Sequence, residues 1–292
     1  MKRVLCIAES CCDLVFGGLS KLPAPGEEIF GSHFSVQPGG GANTAVLLAR
    51  SGVPTAFWTL LADDFAGRMV RSALQRYGVQ LAAHGQKTER TPVSAVLSTK
   101  EDRAFASLSS TAELIGDLDV LDRAIGETEI VHTYLGYCDA YPIAALCARH
   151  GSLLSVDTSF CDARTTLFET VLPHVDWWKG NESEAMRLTG ASNAEDALDA
   201  IANRVRRGAV VTCGARGSIG KERGGTILKQ AAIPSGPFLD ACGAGDAFAA
   251  GFLHALARGE SLERGMLRGA LLSGRVVAAY GGCPPEIDVP VE

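Results

Sequence analysis

Asp240-Ala241-Cys242-Gly243-Ala244-Gly245-Asp246-Ala247-Phe248 is a glycine-containing turn that runs directly into an apolar segment of helical character. Gly243 and Gly245 let the backbone approach a ligand closely. The first N–H groups of the helix that follows have no intrahelical partner, and the positive end of the helix dipole lies behind them. The turn therefore suits an anion such as a phosphate, and it assembles that site without a lysine. Asp246 falls in the first helical turn, where the same dipole favours its carboxylate and leaves it a proton acceptor near pH 7. Phosphoryl transfer asks for little more: a base on the hydroxyl, donors at the moving phosphoryl group and magnesium on the nucleotide. An aspartate after Gly-x-Gly also serves as a plain helix cap, and the turn alone does not separate the two readings.

Outward from this turn, the chain closes with helices over residues 245–257 and 261–280, preceded by antiparallel strands at 218–221 and 227–232. Toward the N-terminus, strands and helices alternate. Strands are expected at 4–8, 56–61, 130–135, 153–157 and 209–213, and helices at 43–51, 67–77, 143–150, 184–189 and 194–206. Such alternation implies right-handed crossovers, a mainly parallel sheet covered on both faces, and ligands at the carboxyl ends of the strands. Residues 11–36 and 91–110 have a different texture. Asp13-Leu14-Val15-Phe16 leads into Gly17-Gly18 and a Pro/Gly break before 29–36, while 93–98 and 104–108 flank Lys100-Glu101-Asp102-Arg103. Two hairpin-like pieces are expected to pair into one small sheet, giving a single domain over 1–292 with a lid.

The 292 residues are 47% hydrophobic and 21% charged, a globular balance. The net charge of −6, with no basic cluster beyond Arg204, Arg206 and Arg207, argues against a nucleic-acid partner. No apolar run is long enough to span a membrane, and Glu9 arrives too early for a signal peptide. Nine cysteines without C-x-x-C spacing support neither a disulfide framework nor a zinc site; reduced thiols in the cytoplasm are the simple account.

Three further clusters carry polar chemistry. Pro38-Gly39-Gly40-Gly41-Ala42-Asn43-Thr44-Ala45 is a second glycine run entering a helix, and the Asn43 amide both donates to and accepts from hydroxyls. Asn181-Glu182-Ser183-Glu184 has capping-box spacing, which competes with metal or phosphate work. Trp177 and Trp178 before it read as core. Val210-Val211-Thr212-Cys213-Gly214-Ala215-Arg216-Gly217 places a tight turn at a strand end. No G-x-x-x-x-G-K-[ST] is present, and no G-x-G-x-x-G follows a strand.

In this order the pieces resemble the ribokinase-like (PfkB) carbohydrate kinase family over essentially the whole chain. Gly39-Gly40-Gly41-Ala42-Asn43 resembles its N-terminal signature, Asp63-Asp64-Phe65-Ala66-Gly67 its G-x-D-x-x-G segment, and Asn181-Glu182-Ser183-Glu184 its N-x-x-E motif. Thr212 to Gly217 resembles its T-x-G-x-x-G turn, and Asp240 to Asp246 its D-T-x-G-A-G-D signature. The resemblance implies a three-layer α/β sandwich with a β-sheet lid and an ATP-dependent kinase acting on a sugar hydroxyl. It implies Asp246 as catalytic base and Gly243, Ala244 and Gly245 as anion hole. Asp13, Gly40, Gly41 and Asn43 would hold the substrate; Asn181, Glu184, Thr212, Gly214 and Gly217 would lie along the nucleotide. Glu184 would place Mg2+ through water, backbone oxygens around Asp240 and Cys242 would hold K+, and the lid would pair two copies into a homodimer. Cys242 stands where threonine is usual, and Asp157-Thr158-Ser159-Phe160-Cys161 lacks the Asn and Arg of the D-x-N-x-R strand end. A nucleoside kinase on the same scaffold is the alternative, and a non-catalytic sugar- or nucleotide-binding sensor is a third reading, opposed by the intact turn at 243–246.

Overall fold

The computed structural model describes residues 1–82, 88–100, 103–109, 117–158 and 169–289. The first strand, β1 (Val4–Ile7), carries four buried residues whose side chains alternate between two layers: Val4 and Cys6 join one core, Leu5 and Ile7 the other. This two-sided burial explains its uninterrupted apolar run. The other strands of the main sheet are β4 (Thr55–Trp58), β5 (Gln80–Leu81), β8 (Ile130–Tyr134), β9 (Leu153–Asp157), β10 (Trp177–Asn181), β11 (Gly208–Thr212), β12 (Ser218–Glu222) and β13 (Leu228–Gln230). Their order is β13-β12-β11-β10-β9-β8-β1-β4-β5, parallel from β11 to β5 and antiparallel at β12 and β13.

Helices cover both faces. Helices α1 (Gly41–Arg50), α2 (Phe65–Arg76), α8 (Ala244–Arg258) and α9 (Leu262–Val276) supply one core through Leu47, Val70, Phe248, Phe252 and Met266. The opposite core takes α3 (Leu118–Gly126), α5 (Ile143–His150), α6 (Glu182–Thr189) and α7 (Ala194–Ala202), through Ile125, Ile143, Leu188 and Ile201. A short α4 (Leu135–Ala140) follows β8 directly. Trp177 packs edge-on against Phe252 in the first core and Trp178 is fully buried in the second, so the pair is core, one ring per layer. Among the described residues, no helix is long and apolar enough to cross a membrane.

The second sheet is the lid. β2 (Ser10–Leu19) pairs antiparallel with β3 (His33–Gly40), β6 (Val93–Thr99) pairs antiparallel with β7 (Arg103–Leu108), and β2 and β6 join the two hairpins in parallel. β3 begins and ends later than the expected 29–36, running through Pro38 to Gly40. As an edge strand it tolerates a residue with no N–H. Gly39 fits there because a Cβ would strike the Asp13 carboxylate across the pair. The lid's second piece is tied to α2: Asp64 caps that helix by accepting from Gly67 N (2.7 Å) and also accepts from Thr91 N (2.9 Å).

The last helix is shorter than 261–280. It ends at Val276, and a strap from 277 to 283 passes under the glycine turn. Asp240 pins both segments, accepting from Cys242 N (2.8 Å) and Gly281 N (3.0 Å). The stretch 159–161, where the missing Asn and Arg of the strand end fall, lies outside the described residues, as do 101, 102 and 110 of the lid segment.

Candidate active site

The strand order reverses around β1, which pairs with β4 on one side and β8 on the other, and the polar residues collect at the carboxyl ends nearby. Register sets them in a row. Tyr134 on β8 lies opposite Asp157 on β9, and Asp157 lies opposite Lys179 on β10. Two residues beyond Lys179, Asn181 is level with Thr212 on β11. Helix α8 points its N-terminus at this row.

Gly243 is the N-cap of α8, with φ 71°, and no side chain caps the helix. A Cβ at Gly243 would collide with the backbone of Gly282 in the strap, so the turn requires glycine for its conformation and for its close approach. Asp246 is therefore not a cap. Its carboxylate instead accepts from Asn43 Nδ2 (3.0 Å), Thr44 Oγ1 (3.3 Å) and the Tyr134 hydroxyl (3.3 Å). Burial, aided by the Asp157 charge, pushes the Asp246 carboxyl up to about 6 against the hydrogen bond from Asn43 and the charge of Lys179. The helix dipole does not dominate, as the position of Asp246 in the sequence suggests it should; desolvation does. At pH 7 a group titrating near 6 is still about ten to one ionised, so the carboxylate remains a competent acceptor.

The other expected residues divide. Asn43 meets Asp246 directly, and its Oδ1 is buried with no hydrogen-bond partner among the described residues. Asp13 is buried on the inner side of the lid, accepts from Cys11 Sγ (3.0 Å), and has its carboxyl raised by burial. Gly40 takes φ 60° where a Cβ would lie 2.8 Å from Glu9 O. Gly41 faces Ala8, whose Cβ an added side chain would meet, so its small size serves the close packing at the start of α1.

Asn181 and Glu184 form a complete capping box: Asn181 Oδ1 accepts from Glu184 N (2.9 Å) and Glu184 Oε2 from Asn181 N (2.8 Å). The cap leaves room for a ligand role, because Glu184 Oε1 makes no hydrogen bond among the described residues. Among them there is also no group of three His, Cys, Asp or Glu able to cage a metal. One carboxylate oxygen beside phosphates fits a Mg2+ ion that keeps most of its waters. Thr212 ends β11 and donates to Gly180 O (3.4 Å); Gly214 and Gly217 both have positive φ in the turn beyond it. The Cys242 side chain packs against Val15 and Val96 of the lid. Both oxygens of Asp240 are occupied by backbone N–H groups, which leaves backbone carbonyls for any monovalent cation.

Two neighbours of Asp246, Tyr134 and Lys179, were not legible as site residues. Their signal was faint: Asp157 at the end of β9 and Lys179 in the middle of β10 each carry a charge after an apolar run, where two buried charges side by side imply a pair.

A three-layer α/β sandwich with a lid, and a phosphate-ready helix N-terminus holding a basic carboxylate, define a small-molecule kinase. The chain belongs to the pfkB family of carbohydrate kinases, whose model matches residues 1–288. It is an ATP-dependent kinase of a sugar or sugar-like molecule. It is 28% identical to fructoselysine 6-kinase of Shigella flexneri over 288 residues, covering 96% of this chain and 99% of that one. It is 26% identical to a nucleoside kinase of Methanocaldococcus jannaschii over 286 residues, covering 96% and 92%. The fold of a probable sugar kinase from Rhizobium etli matches with a TM-score of 0.84 at 23% identity, covering 97% and 95%.

Proposed function

We propose that the chain transfers the γ-phosphoryl group of ATP to a primary hydroxyl of a sugar or sugar-like polyol, with Asp246 taking the proton. The observation that carries this reading is the Asp246 carboxylate, held by Asn43, Thr44 and Tyr134 beside an N-terminus with no side-chain cap. Asp13, Gly40 and Asn43 orient the acceptor hydroxyls between lid and sheet. The N–H groups at Gly243, Ala244 and Gly245 receive the charge that develops on the transferred group. Thr212, Gly214 and Gly217 line the nucleotide. Asn181 and Glu184 hold hydrated Mg2+, which when bound neutralises phosphate charge. Closure of the lid, segments 11–36 and 91–110 of a single domain, excludes water and so limits hydrolysis of ATP. K+ would sit on backbone oxygens around Asp240 and Cys242.

A homodimer through the lid is supported by its outer face. Phe16 and Phe34 lie 5.1 Å apart there, 39% and 58% exposed, and Leu108 is 54% exposed on the same face. A second copy of this face is the occupant we infer, since exposed apolar area of this kind marks an interface. Residence in the reducing cytoplasm is supported by the described cysteines, all of which are free thiols.

The acceptor is decided by an ATP-consumption assay with Mg2+ over D-ribose, D-fructose, fructoselysine, a sugar phosphate and adenosine, with and without K+. Acceptor-dependent ADP release with a sugar supports the reading. Turnover with adenosine alone would establish the nucleoside kinase alternative, and no acceptor-dependent release would favour a binding sensor.

A further inference from the structure

The glycine turn reads in sequence as an anion site with no lysine, yet the fold brings one to it. Lys179 lies in the middle of the sheet, 5% exposed, and forms an ion pair with Asp157 at 2.6 Å. Adjacent parallel strands hold the two opposite each other. The ammonium does not stop at this pair: a Cβ built on Gly245 would lie 3.7 Å from Lys179 Nζ, so the charge stands directly behind the turn, and glycine at 245 leaves the way to it open. Burying a charged pair this deep is costly and is weak evidence for stability as such. We propose that Lys179, clamped by Asp157, is a positioning residue that keeps Asp246 a carboxylate and puts fixed positive charge behind the turn at 243–245.

The groups around Asp246 support this assignment. From α1 it meets the neutral Asn43 and Thr44. From β1, β8, the turn and the strap it faces Cys6, Tyr134, Cys242 and Cys283, all held protonated because burial pushes them upward, Cys6 to about 12. The charged neighbours are Asp157 and Lys179, with Glu184 beyond them facing the same ammonium. Lys179 is the cation of the set. Burial alone would lower its pKa, but Asp157, with Asp246 and Glu184, more than offsets this and raises it, so the ammonium is retained. The two members of the pair thus act on Asp246 with opposite sign: Asp157 raises its pKa and Lys179 lowers it. Asp157 also aims the ammonium that opposes it.

This inference rests on reading Asp246 as the base, and its test does not. Aspartate-selective 13C labelling gives a carboxyl titration, with the Asp246 signal assigned by its loss in Asp246→Asn. Lys179→Met should move the Asp246 midpoint up by about one pH unit and Asp157→Asn should move it down by a similar amount, the scale of one nearby charge. Lys179→Arg should leave it within about 0.3 unit, because the charge is kept. A merely structural ion pair would move neither midpoint, or both the same way, and either result overturns the proposal. If Lys179→Met does not fold, Asp157→Asn decides: a downward move supports the inference and an unmoved or raised midpoint refutes it. Opposite shifts together with undiminished turnover of Asp246→Asn would remove the base reading while leaving the positioning by Lys179 intact.

Discussion

Replacing Asp246 by Asn should make the protein more stable above pH 7 while it loses activity, and the size of the gain follows from the site. Burial raises the Asp246 carboxyl from 3.8 to about 6. A group raised on folding contributes stability that is complete below its unfolded pKa and is lost as pH rises through the folded value. Ionised Asp246 therefore costs about 3 kcal/mol above pH 7, from about two units at about 1.4 kcal/mol each. Asn is neutral at every pH and avoids this cost. It keeps a carbonyl acceptor for Asn43, but its amide NH2 faces Thr44 and Tyr134, whose hydroxyls must turn from donor to acceptor, which takes back about 1–2 kcal/mol. The net gain is about 1–2 kcal/mol above pH 7, or about 2–3 °C in Tm for a chain of this size. Below about pH 4, where the parent's Asp246 is also protonated, the gain should vanish or reverse. Thermal and urea unfolding of both proteins between about pH 3.5 and 8.5 reads this directly. A variant less stable than the parent at pH 8 by an amount that does not change with pH would refute the claim that a buried, raised carboxyl occupies this position.

The strap and the lid give further outcomes. Gly243→Ala forces a side chain into Gly282 at a positive φ, and should destabilise by about 2–3 kcal/mol and lower kcat at least tenfold, read by urea unfolding and steady-state turnover. Asn181→Ala breaks the capping box and should cost about 1 kcal/mol while raising KM for MgATP more than it lowers kcat. Phe16→Glu with Phe34→Glu places charge on the lid's outer face and should convert a dimer to a monomer in light scattering; an unchanged mass would exclude that face as the interface.

The architecture was legible where the sequence states one physical requirement at a time. The buried strand at β1, the tryptophan pair before Asn181 and the glycine turn at 243 each announce themselves locally, and each stands where expected. β3 was misjudged because Pro38 and the following glycines look like a corner; only the position of this strand at a sheet edge makes them acceptable in it. The last helix was read too long because Gly281 and Gly282 become informative only once Asp240 is seen to pin the strap. At the site, Asp246 and Asn43 were legible because each follows glycines into a helix. Tyr134 was not, since it lies 112 residues from Asp246 and meets it through the register of parallel strands. For the same reason the lysine behind the glycine turn was missed: nothing local to Lys179 says that it emerges beside Gly245. The helix-dipole argument for Asp246 gave the right ionisation at pH 7 for the wrong reason, because burial opposes it and the residual charge is sustained by Asn43 and Lys179.

Asp246 is the group proposed to take the proton of the acceptor hydroxyl. Acceptor-dependent ADP release, measured at pH 7.5 with saturating MgATP for the parent and for Asp246→Asn, tests this most directly. The loss of a positioned base should lower kcat by about a thousandfold, with ATP affinity changed less than threefold. Turnover of Asp246→Asn within a few-fold of the parent would contradict it.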